Sequence, residues 1–248
     1  LNSNLNHSIL IFSIMDISFM DISFEFFPPS SDKAEAKLWD SIKVLEPLNP
    51  NFVSVTYGAG GTTRDRTHNC VKKIIEETNL EPAAHLTCVN STKDEIKKIT
   101  DKYKKIGVKH IVAVRGDMPN FANFEPHPKG YKSSIDLVKN LSDQEFSVTV
   151  SAYPEKHPDA LSFDQDIEFL KRKIDAGATQ VITQFCFDFE FILSCRDLLL
   201  KHNINIPIIP GIMPTTNFKG IQKMSKQCST SIPEWLENKY NGLEDSLD

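Results

Sequence analysis

The sequence predicts an α/β fold, a (β/α)8 TIM barrel of which seven βα units are evident. Strand-like apolar runs alternate with helix-like runs, and the alternation repeats roughly every thirty residues. No break divides the chain into two halves, which favours a closed barrel over an open doubly wound sheet. A chain of 248 residues with 40% hydrophobic content can bury a core of this size as one domain.

Each predicted element has its own local signal. Short apolar runs predict strands at 22–27, 52–56, 83–88, 110–114, 147–152, 180–185 and 206–212. Helical periodicity fills the intervals: 32–45, a run through Val71 and Ile75, a run that opens at a Thr92/Glu95 capping box, 135–141, a run capped by Ser162, 191–201, and a run through Phe218, Ile221 and Met224. No strand pattern follows Met224, so we expect the eighth unit to be missing and a sheet edge to be left unpaired.

The predicted domain organisation is a leader, residues 1–20, followed by a barrel domain at 21–248 that is incomplete at its carboxyl end. We expect the leader to be peripheral or disordered. Its apolar run at 9–15 has no preceding Lys or Arg and no cleavage signal, and it is too short to span a bilayer. The sequence therefore predicts neither secretion nor a membrane anchor.

Charge and cysteine content exclude several classes of protein. The formal net charge is -5 and the basic residues are spread out, so no nucleic-acid partner is expected. The five cysteines are widely spaced and form no CxxC pair, which argues against a disulfide framework or a zinc site and predicts no metal. A reducing, cytoplasmic location is expected.

The first strand carries a single carboxylate, Glu25, and is stopped by Pro28 and Pro29. Large apolar neighbours should partly desolvate Glu25 and raise its pKa toward a value useful for donating a proton. The alternative is a strand-end residue that pairs with a lysine or faces water.

Other strands also end in polar or titratable residues. They are Thr56, His85 or Thr87, Arg115 with Asp117, Tyr153, and Gln184. The active site of a barrel lies at the carboxyl ends of its strands, so these residues predict a shared pocket. Each could instead be an ordinary strand-end or capping residue.

A glycine run, Gly58-Ala59-Gly60-Gly61, follows the second strand and resembles the start of a dinucleotide-binding fold. The third glycine of the GxGxxG spacing would fall on Thr63, so the match is weak. A flexible turn that lets backbone approach a ligand fits either fold.

Motifs in this order and spacing resemble the methylenetetrahydrofolate reductase family over about residues 20 to 245. They are Ser23-Phe24-Glu25-Phe26-Phe27-Pro28-Pro29, Val55-Thr56-Tyr57-Gly58-Ala59-Gly60-Gly61, His85-Leu86-Thr87-Cys88, Arg115-Gly116-Asp117, Ala152-Tyr153-Pro154-Glu155, His157-Pro158, Lys171-Arg172-Lys173 with Asp175-Ala176-Gly177-Ala178, Thr183-Gln184-Phe185, and Pro210-Gly211-Ile212 with Pro214. The resemblance implies an FAD-containing barrel that reduces 5,10-methylenetetrahydrofolate to 5-methyltetrahydrofolate. NADH or NADPH would be the donor in a ping-pong cycle.

The resemblance also implies roles for single residues. Glu25 would be the general acid that protonates N10 of the folate, and Asp117 would lie near the flavin and the pterin. Gln184 would hydrogen-bond the pterin edge, with Thr56 and Met224 as further substrate contacts. The implied FAD contacts are Thr56, His85, Arg115, Gly116, Asp117, Lys132, Tyr153, His157, Ala160, Asp166 and Lys173. The resemblance further implies a homo-oligomer.

Three departures from the family pattern qualify these expectations. The eighth βα unit is missing, and Gly220 stands where a polar side chain that touches folate is expected. Met224 stands where relatives carry an apolar or aromatic contact for the nicotinamide donor and folate, and an ordinary core residue of a helix accounts for it equally well. The alternative is therefore a truncated chain that binds FAD but is catalytically inactive, or that serves as a partner subunit. A different, aldolase-like barrel enzyme lacks a plausible Schiff-base lysine at any predicted strand end.

Overall fold

The computed structural model describes residues 21–58, 64–117, 125–215 and 217–243. The expected leader at 1–20 and most of the glycine run (59–61) therefore lie outside the described residues. No helix in the described ranges has both the length and the apolar character needed to cross a membrane.

Seven strands alternate with helices along the described chain, which confirms the predicted α/β, TIM-barrel class. The strands are β1 Ser23–Phe26, β2 Phe52–Val55, β3 Pro82–Thr87, β4 His110–Val114, β5 Ser147–Ala152, β6 Gln180–Phe185 and β7 Ile208–Gly211. The α-helices are α1 Asp32–Leu45, α2 Arg64–Glu77, α3 Lys93–Lys105, α4 Ser134–Asp143, α5 Phe163–Asp175, α6 Phe189–Lys201, α7 Phe218–Cys228 and α8 Glu234–Tyr240, and a 3-10 turn spans Glu46–Leu48.

The chain forms two compact units. Unit 1 comprises Leu1–Ile111 and Arg115–Gly130, and unit 2 comprises Val112–Val114 and Tyr131–Asp248. Within each unit, neighbouring strands in the sheet are also neighbours in the sequence, as βα repeats require.

The sheet of unit 1 is parallel. Ser23–Phe26 of β1 lies beside Phe52–Val55 of β2, and β2 in turn pairs in parallel with β3. All four residues of β2 are buried, so this strand has covered faces on both sides and reads as a continuous apolar run with one serine. Val53 and Val55 are fully buried together with Ile74 of α2.

Side-chain caps start the helices of unit 1 where the sequence predicts them. The Ser31 hydroxyl accepts a hydrogen bond from the Ala34 amide (3.2 Å), which begins α1. The predicted capping box of α3 is confirmed. The Thr92 hydroxyl accepts from the Glu95 amide (3.1 Å), and the Glu95 carboxylate accepts from the Thr92 amide (2.8 Å).

The sheet of unit 2 is also parallel, from β5 to β6 and from β6 to β7. The pairing of β6 with β7 shifts register between Ile182 and Phe185. Gly211 at the end of β7 lies so close to β6 that a Cβ there would be 2.5 Å from the Thr183 carbonyl oxygen. Its amide donates to the Thr183 hydroxyl (2.9 Å), so the ends of β6 and β7 are held together.

The carboxyl-terminal part of unit 2 differs from prediction in two ways. The seventh strand begins at Ile208 and ends at Gly211, whereas the pattern predicted 206–212. Pro207 has no amide hydrogen to donate, and only its carbonyl joins the ladder, by accepting from the Val181 amide (2.9 Å), so the strand itself begins after it. Beyond α7 the chain forms an unpredicted short helix, α8, which begins directly after Pro233.

Candidate active site

Glu25 lies on one face of the sheet of unit 1 with Ser54 and His85. The register places Glu25 opposite Ser54 and Ser54 opposite Ala83, and His85 follows two residues later on the same face. The Ser54 hydroxyl donates to Glu25 Oε2 at 3.3 Å, and His85 Nε2 lies 3.2 Å from the same oxygen. The predicted acid and a predicted flavin contact are therefore direct neighbours.

The predicted rise in the pKa of Glu25 is wrong. Desolvation does raise the pKa of this carboxyl, but the contacts with His85 and Ser54 outweigh that effect and hold the pKa below its ordinary value of 4.5. The side chain is also 44% exposed, because Phe24 and Phe26 project from the opposite face of the strand. Glu25 is thus a carboxylate at neutral pH unless a neighbour supplies a proton.

A second histidine, His110, adds to the electrostatics around His85. It begins β4, is 7% exposed and contacts the edge of the Phe52 ring with centroids 4.8 Å apart. Burial and the nearby His85 lower the pKa of His110 to about 4. It is therefore neutral at physiological pH. Sequence reasoning missed this residue, since a histidine at the start of a strand carries no distinctive signal.

The predicted Arg115, Gly116 and Asp117 follow β4 directly. Gly116 has φ +85°, and a Cβ there would lie 2.6 Å from Val89 Cγ1 and 2.8 Å from Thr87 Cβ. Only glycine fits this position, which brings the backbone close to the end of β3. The Arg115 carbonyl accepts from the Val89 amide (3.0 Å), and Asp117 is exposed to solvent.

A residue that sequence reasoning missed, Arg64, holds the neighbouring loops of unit 1 in place. It is the first residue of α2; its guanidinium donates to the Ser91 hydroxyl and lies 3.8 Å from the Glu95 carboxylate. Ser91 is 1% exposed and donates to the Val89 carbonyl (3.1 Å). Arg64 therefore connects α2 to the loop that supports Arg115 and Gly116.

The predicted Thr56 directly follows β2 and is also held by its surroundings. Its amide donates to the Phe26 carbonyl, and its own carbonyl accepts from the Thr67 hydroxyl, both at 2.9 Å. Thr67 belongs to α2 and is fully buried. The position of Thr56 is thereby fixed by a strand on one side and a helix on the other.

In unit 2, three predicted flavin contacts lie together after β5. The Tyr153 and His157 rings meet edge to face, with centroids 4.5 Å apart. The Asp166 carboxylate accepts from the His157 amide at 2.7 Å and so fixes the loop to the first turn of α5. The predicted Ala160 closes a turn in the same loop, since its amide donates to the His157 carbonyl (3.0 Å) and its carbonyl accepts from Lys156 Nζ.

Lys173 is a buried cation on the same helix, α5. It is 7% exposed, its Nζ donates to the Ser151 carbonyl of β5 at 2.6 Å, and it lies 5.5 Å from the Phe169 ring centroid. Burial lowers the pKa of Lys173 to about 8, against the opposing attraction of Asp166. A buried ammonium of this kind gains from an incoming anion.

The other predicted residues of unit 2 are more scattered. The Gln184 side-chain oxygen accepts from the Phe185 amide (3.0 Å) at the end of β6. The amide of Lys132 donates to the Asp136 carboxylate (3.1 Å), while its side chain is exposed. Met224 lies half-buried in α7.

Comparison with known proteins identifies the family. A family model described as "Methylenetetrahydrofolate reductase" matches residues 12–247. The chain is 46% identical over 226 residues to 5,10-methylenetetrahydrofolate reductase of Escherichia coli K12, covering 91% of this chain and 75% of that protein. It is 33% identical over 251 residues to methylenetetrahydrofolate reductase (NADH) 1 of Arabidopsis thaliana, covering 94% of this chain and 42% of that one.

Solved structures share the fold. A Clostridium thermocellum protein whose structure is described as binding two copies of 5-methyl-5,6,7,8-tetrahydrofolic acid superposes with a TM-score of 0.63 at 17% identity, covering 96% of this chain and 80% of that chain. At so low an identity this match supports the fold alone. The family-model match and the identity to the E. coli enzyme decide the assignment: this chain belongs to the methylenetetrahydrofolate reductase family.

Proposed function

We propose that the chain reduces 5,10-methylenetetrahydrofolate to 5-methyltetrahydrofolate, with FAD as its cofactor and NADH or NADPH as the hydride donor, in a ping-pong cycle. The observation that carries the proposal is the Glu25–His85 pair, a carboxylate and an imidazole 3.2 Å apart at neighbouring positions of the sheet. We propose this pair as the source of the proton that such a reduction needs, in a chain whose curated relatives bear the name of that activity.

Unit 1 and unit 2 each contain residues that suit the binding of a flavin nucleotide. In unit 2, buried Lys173 donates to the backbone carbonyl of Ser151, and an anionic phosphate would stabilise its charge. In unit 1, Gly116 lets the backbone pass close to the end of β3. The preceding residue, Arg115, carries the guanidinium that we propose as a partner for the pyrophosphate. When bound, FAD would accept a hydride from the nicotinamide and pass it to the folate.

Glu25 is proposed to deliver the proton to N10 of the folate. Protonation at N10 opens the five-membered ring and leaves an N5 iminium that can accept hydride. Because the pKa of Glu25 lies below its ordinary value, the proton has to reach the carboxylate from a neighbour. His85 Nε2, 3.2 Å from Glu25 Oε2, is placed to hold that proton and to hand it over once the folate is bound.

Two further residues are proposed to orient and stabilise the substrate. Asp117, exposed at the end of β4, would favour positive charge on the bound folate. Gln184 would use the donors and the acceptor of its side-chain amide on the pterin edge. Its side-chain oxygen accepts from the Phe185 amide, which places it at the end of β6. Thr56 and Met224 are proposed as additional contacts for folate and for the nicotinamide.

The test is a pair of half-reactions on protein reconstituted with FAD under anaerobic conditions. We expect NADH or NADPH to bleach the visible flavin band, and 5,10-methylenetetrahydrofolate to restore it. Bound flavin that neither donor bleaches would contradict the proposal and favour the alternative of an inactive flavin-binding chain.

A matched pair of variants tests the FAD contact in unit 2. Lys173→Met should weaken FAD binding about tenfold, because it removes a charge-assisted partner of a phosphate. Lys171→Met, on the exposed face of the same helix, should leave the FAD Kd unchanged. Equal FAD affinities for the two variants, measured by fluorescence titration of apoprotein, would remove Lys173 from the cofactor site.

A further inference from the structure

Glu155 is a half-buried carboxylate in the loop after β5, between Tyr153 and His157. The family motifs contain it, but the resemblance implies flavin contacts for its two neighbours and no role for Glu155 itself. Its side chain connects this loop to two other segments of unit 2, the residues that follow β6 and the residues that precede α8. The proposed chemistry does not use these connections, so their purpose has to be sought elsewhere.

The first connection joins Glu155 to Ser231, which lies 76 residues further along the chain. The Ser231 amide donates to both carboxylate oxygens, at 3.1 Å to Oε1 and 3.0 Å to Oε2. Hydrogen bonds to an ionised acceptor are stronger than those between neutral groups. Glu155 therefore ties the loop after β5 to the segment between α7 and α8.

The second connection joins Glu155 to Cys186, two residues after Gln184. Cys186 Sγ lies 3.7 Å from Glu155 Oε1 and 3.2 Å from the Asp188 carbonyl oxygen. Burial raises the pKa of Cys186 to about 11, so the thiol keeps its proton at physiological pH and can donate it in a hydrogen bond. The same carboxylate thus contacts the end of β6.

The segment that holds Glu155 is itself fixed to the sheet of unit 2. The Thr230 hydroxyl donates to the Phe185 carbonyl at 3.3 Å, and Thr230 is 9% exposed. The Thr230 amide donates to the Ser225 carbonyl of α7 at 2.9 Å. The Ser231 amide is therefore a donor with a defined position, and Glu155 is anchored to a rigid part of the unit.

The loop after β5 contains a residue that needs such an anchor. Lys156 has φ +75°, in the left-handed region that residues other than glycine rarely adopt. A conformation of this kind costs free energy and persists only where the surrounding contacts impose it. On the carboxyl side, the Asp166 carboxylate accepts from the His157 amide at 2.7 Å. On the amino side, Glu155 supplies the contacts to Ser231 and Cys186.

We infer that Glu155 is a positioning residue for the proposed flavin site of unit 2. By fixing the amino side of the strained turn, it keeps Tyr153 and His157 in place before the cofactor binds, which lowers the entropy cost of binding. The inference rests on the proposed function, since the flavin contacts of these two residues are part of that proposal. Glu155 acts through its neighbours and needs no contact with the cofactor.

The first test is fluorescence titration of apoprotein with FAD. Glu155→Ala should weaken FAD binding about tenfold, because the loop is then ordered only on binding. Glu155→Gln keeps a side-chain oxygen that can accept from the Ser231 amide and should recover most of the affinity. Glu168→Ala, which removes an exposed carboxylate from α5, is the matched control and should bind FAD as wild type does. Circular dichroism checks that each variant is folded.

A double-mutant cycle tests the contact itself. Ser231→Pro removes the donor, because proline has no amide hydrogen, whereas Ser231→Ala keeps it and should bind FAD normally. The combination of Glu155→Ala with Ser231→Pro should weaken binding no more than either change alone, since both break the same contact. An additive loss, about a hundredfold, would mean that the two residues act independently and would overturn the inference. If Ser231→Pro does not fold, the Glu155 series and hydrogen exchange decide.

Hydrogen exchange of the apoprotein reports on the loop without FAD. Glu155→Ala should exchange faster than wild type in peptides that cover 153–160 and 229–236, and Glu168→Ala should match wild type. Wild-type FAD affinity in folded Glu155→Ala, or unchanged exchange in both peptides, would refute the positioning role and leave the proposed function standing. A wild-type protein that binds no FAD would contradict the proposed function, and faster exchange in Glu155→Ala would then still support the anchoring of the loop.

Discussion

At the scale of single residues, the environment of Glu25 shows what a linear sequence hides. Its immediate neighbours are aromatic, and they led to the prediction of a raised pKa. Those neighbours lie on the other face of β1, and the groups that set the pKa reach Glu25 from β2 and β3. Alternation along one strand could be predicted from the sequence, but the pairing of three strands into one register could not. The sequence shows that β1 carries one carboxylate, Glu25, but the direction of its pKa shift could not be predicted.

His110 provides a test of the electrostatics at this scale. Its pKa is about 4 in the folded protein against 6.5 for an ordinary histidine, so the unfolded chain binds more protons between these values. The contribution of neutral His110 to the free energy of unfolding is therefore fully present above pH 6.5 and is lost as the pH falls toward 4. We expect this loss to lower the free energy of unfolding by about 2 kcal/mol between pH 7 and pH 5.

The measurement is urea denaturation at the two pH values for three proteins. His110→Gln should lose less stability than wild type on going from pH 7 to pH 5, because its side chain does not titrate. His202→Gln, at the end of α6, is the control and should keep the wild-type pH dependence. If His110→Gln loses as much stability as wild type over this interval, His110 does not carry the effect.

At the scale of elements, buried strands and capped helices were predictable because their signals are local. The capping box of α3 and the four-residue buried run of β2 are examples. Helix α8 was missed, since seven residues after Pro233 give too few turns for a periodic pattern. The loop contacts of Arg64 were missed for a different reason. They join segments that are distant in the sequence, and nothing in the residues around Arg64 specifies its partners.

Arg64 is predicted to act as a positioning residue for the loop after β4. Arg64→Ala removes the link from α2 to Ser91 and Glu95, and with it the support for Val89 and the Arg115 backbone. We expect about tenfold weaker FAD binding, because Arg115 and Gly116 are then less well ordered before binding. Fluorescence titration of apoprotein with FAD provides the measurement, and circular dichroism checks that the variant is folded.

Two further variants separate positioning from a general loss of stability. Arg66→Ala removes an exposed arginine from the same helix and should leave FAD affinity unchanged. Arg64→Lys keeps one cation that can reach either Ser91 or Glu95 and should recover part of the affinity. A folded Arg64→Ala protein with wild-type FAD affinity would refute the positioning role.

At the scale of the whole molecule, the repeated βα pattern was the most predictable feature. Seven strands alternate with helices in the described chain, and the parallel pairings within each unit follow the order of the sequence. This feature can be recognised in the sequence because every βα unit repeats the same change, from the buried apolar run of a strand to the amphipathic run of a helix. A cleft of about 510 Å³ in unit 2, lined by residues after β6, residues after β7 and one face of α8, was not predictable. It depends on how the loops after two strands pack against a helix that the sequence pattern did not predict.

The central claim is that Glu25 donates the proton that the folate half-reaction needs, and Glu25→Gln tests it most directly. Stopped-flow absorbance of the FAD-loaded variant should show bleaching by NADH or NADPH at the wild-type rate. Reoxidation of the reduced enzyme by 5,10-methylenetetrahydrofolate should be slower by about 100-fold or more, as expected for loss of a general acid. Reoxidation of Glu25→Gln at the wild-type rate would contradict the account.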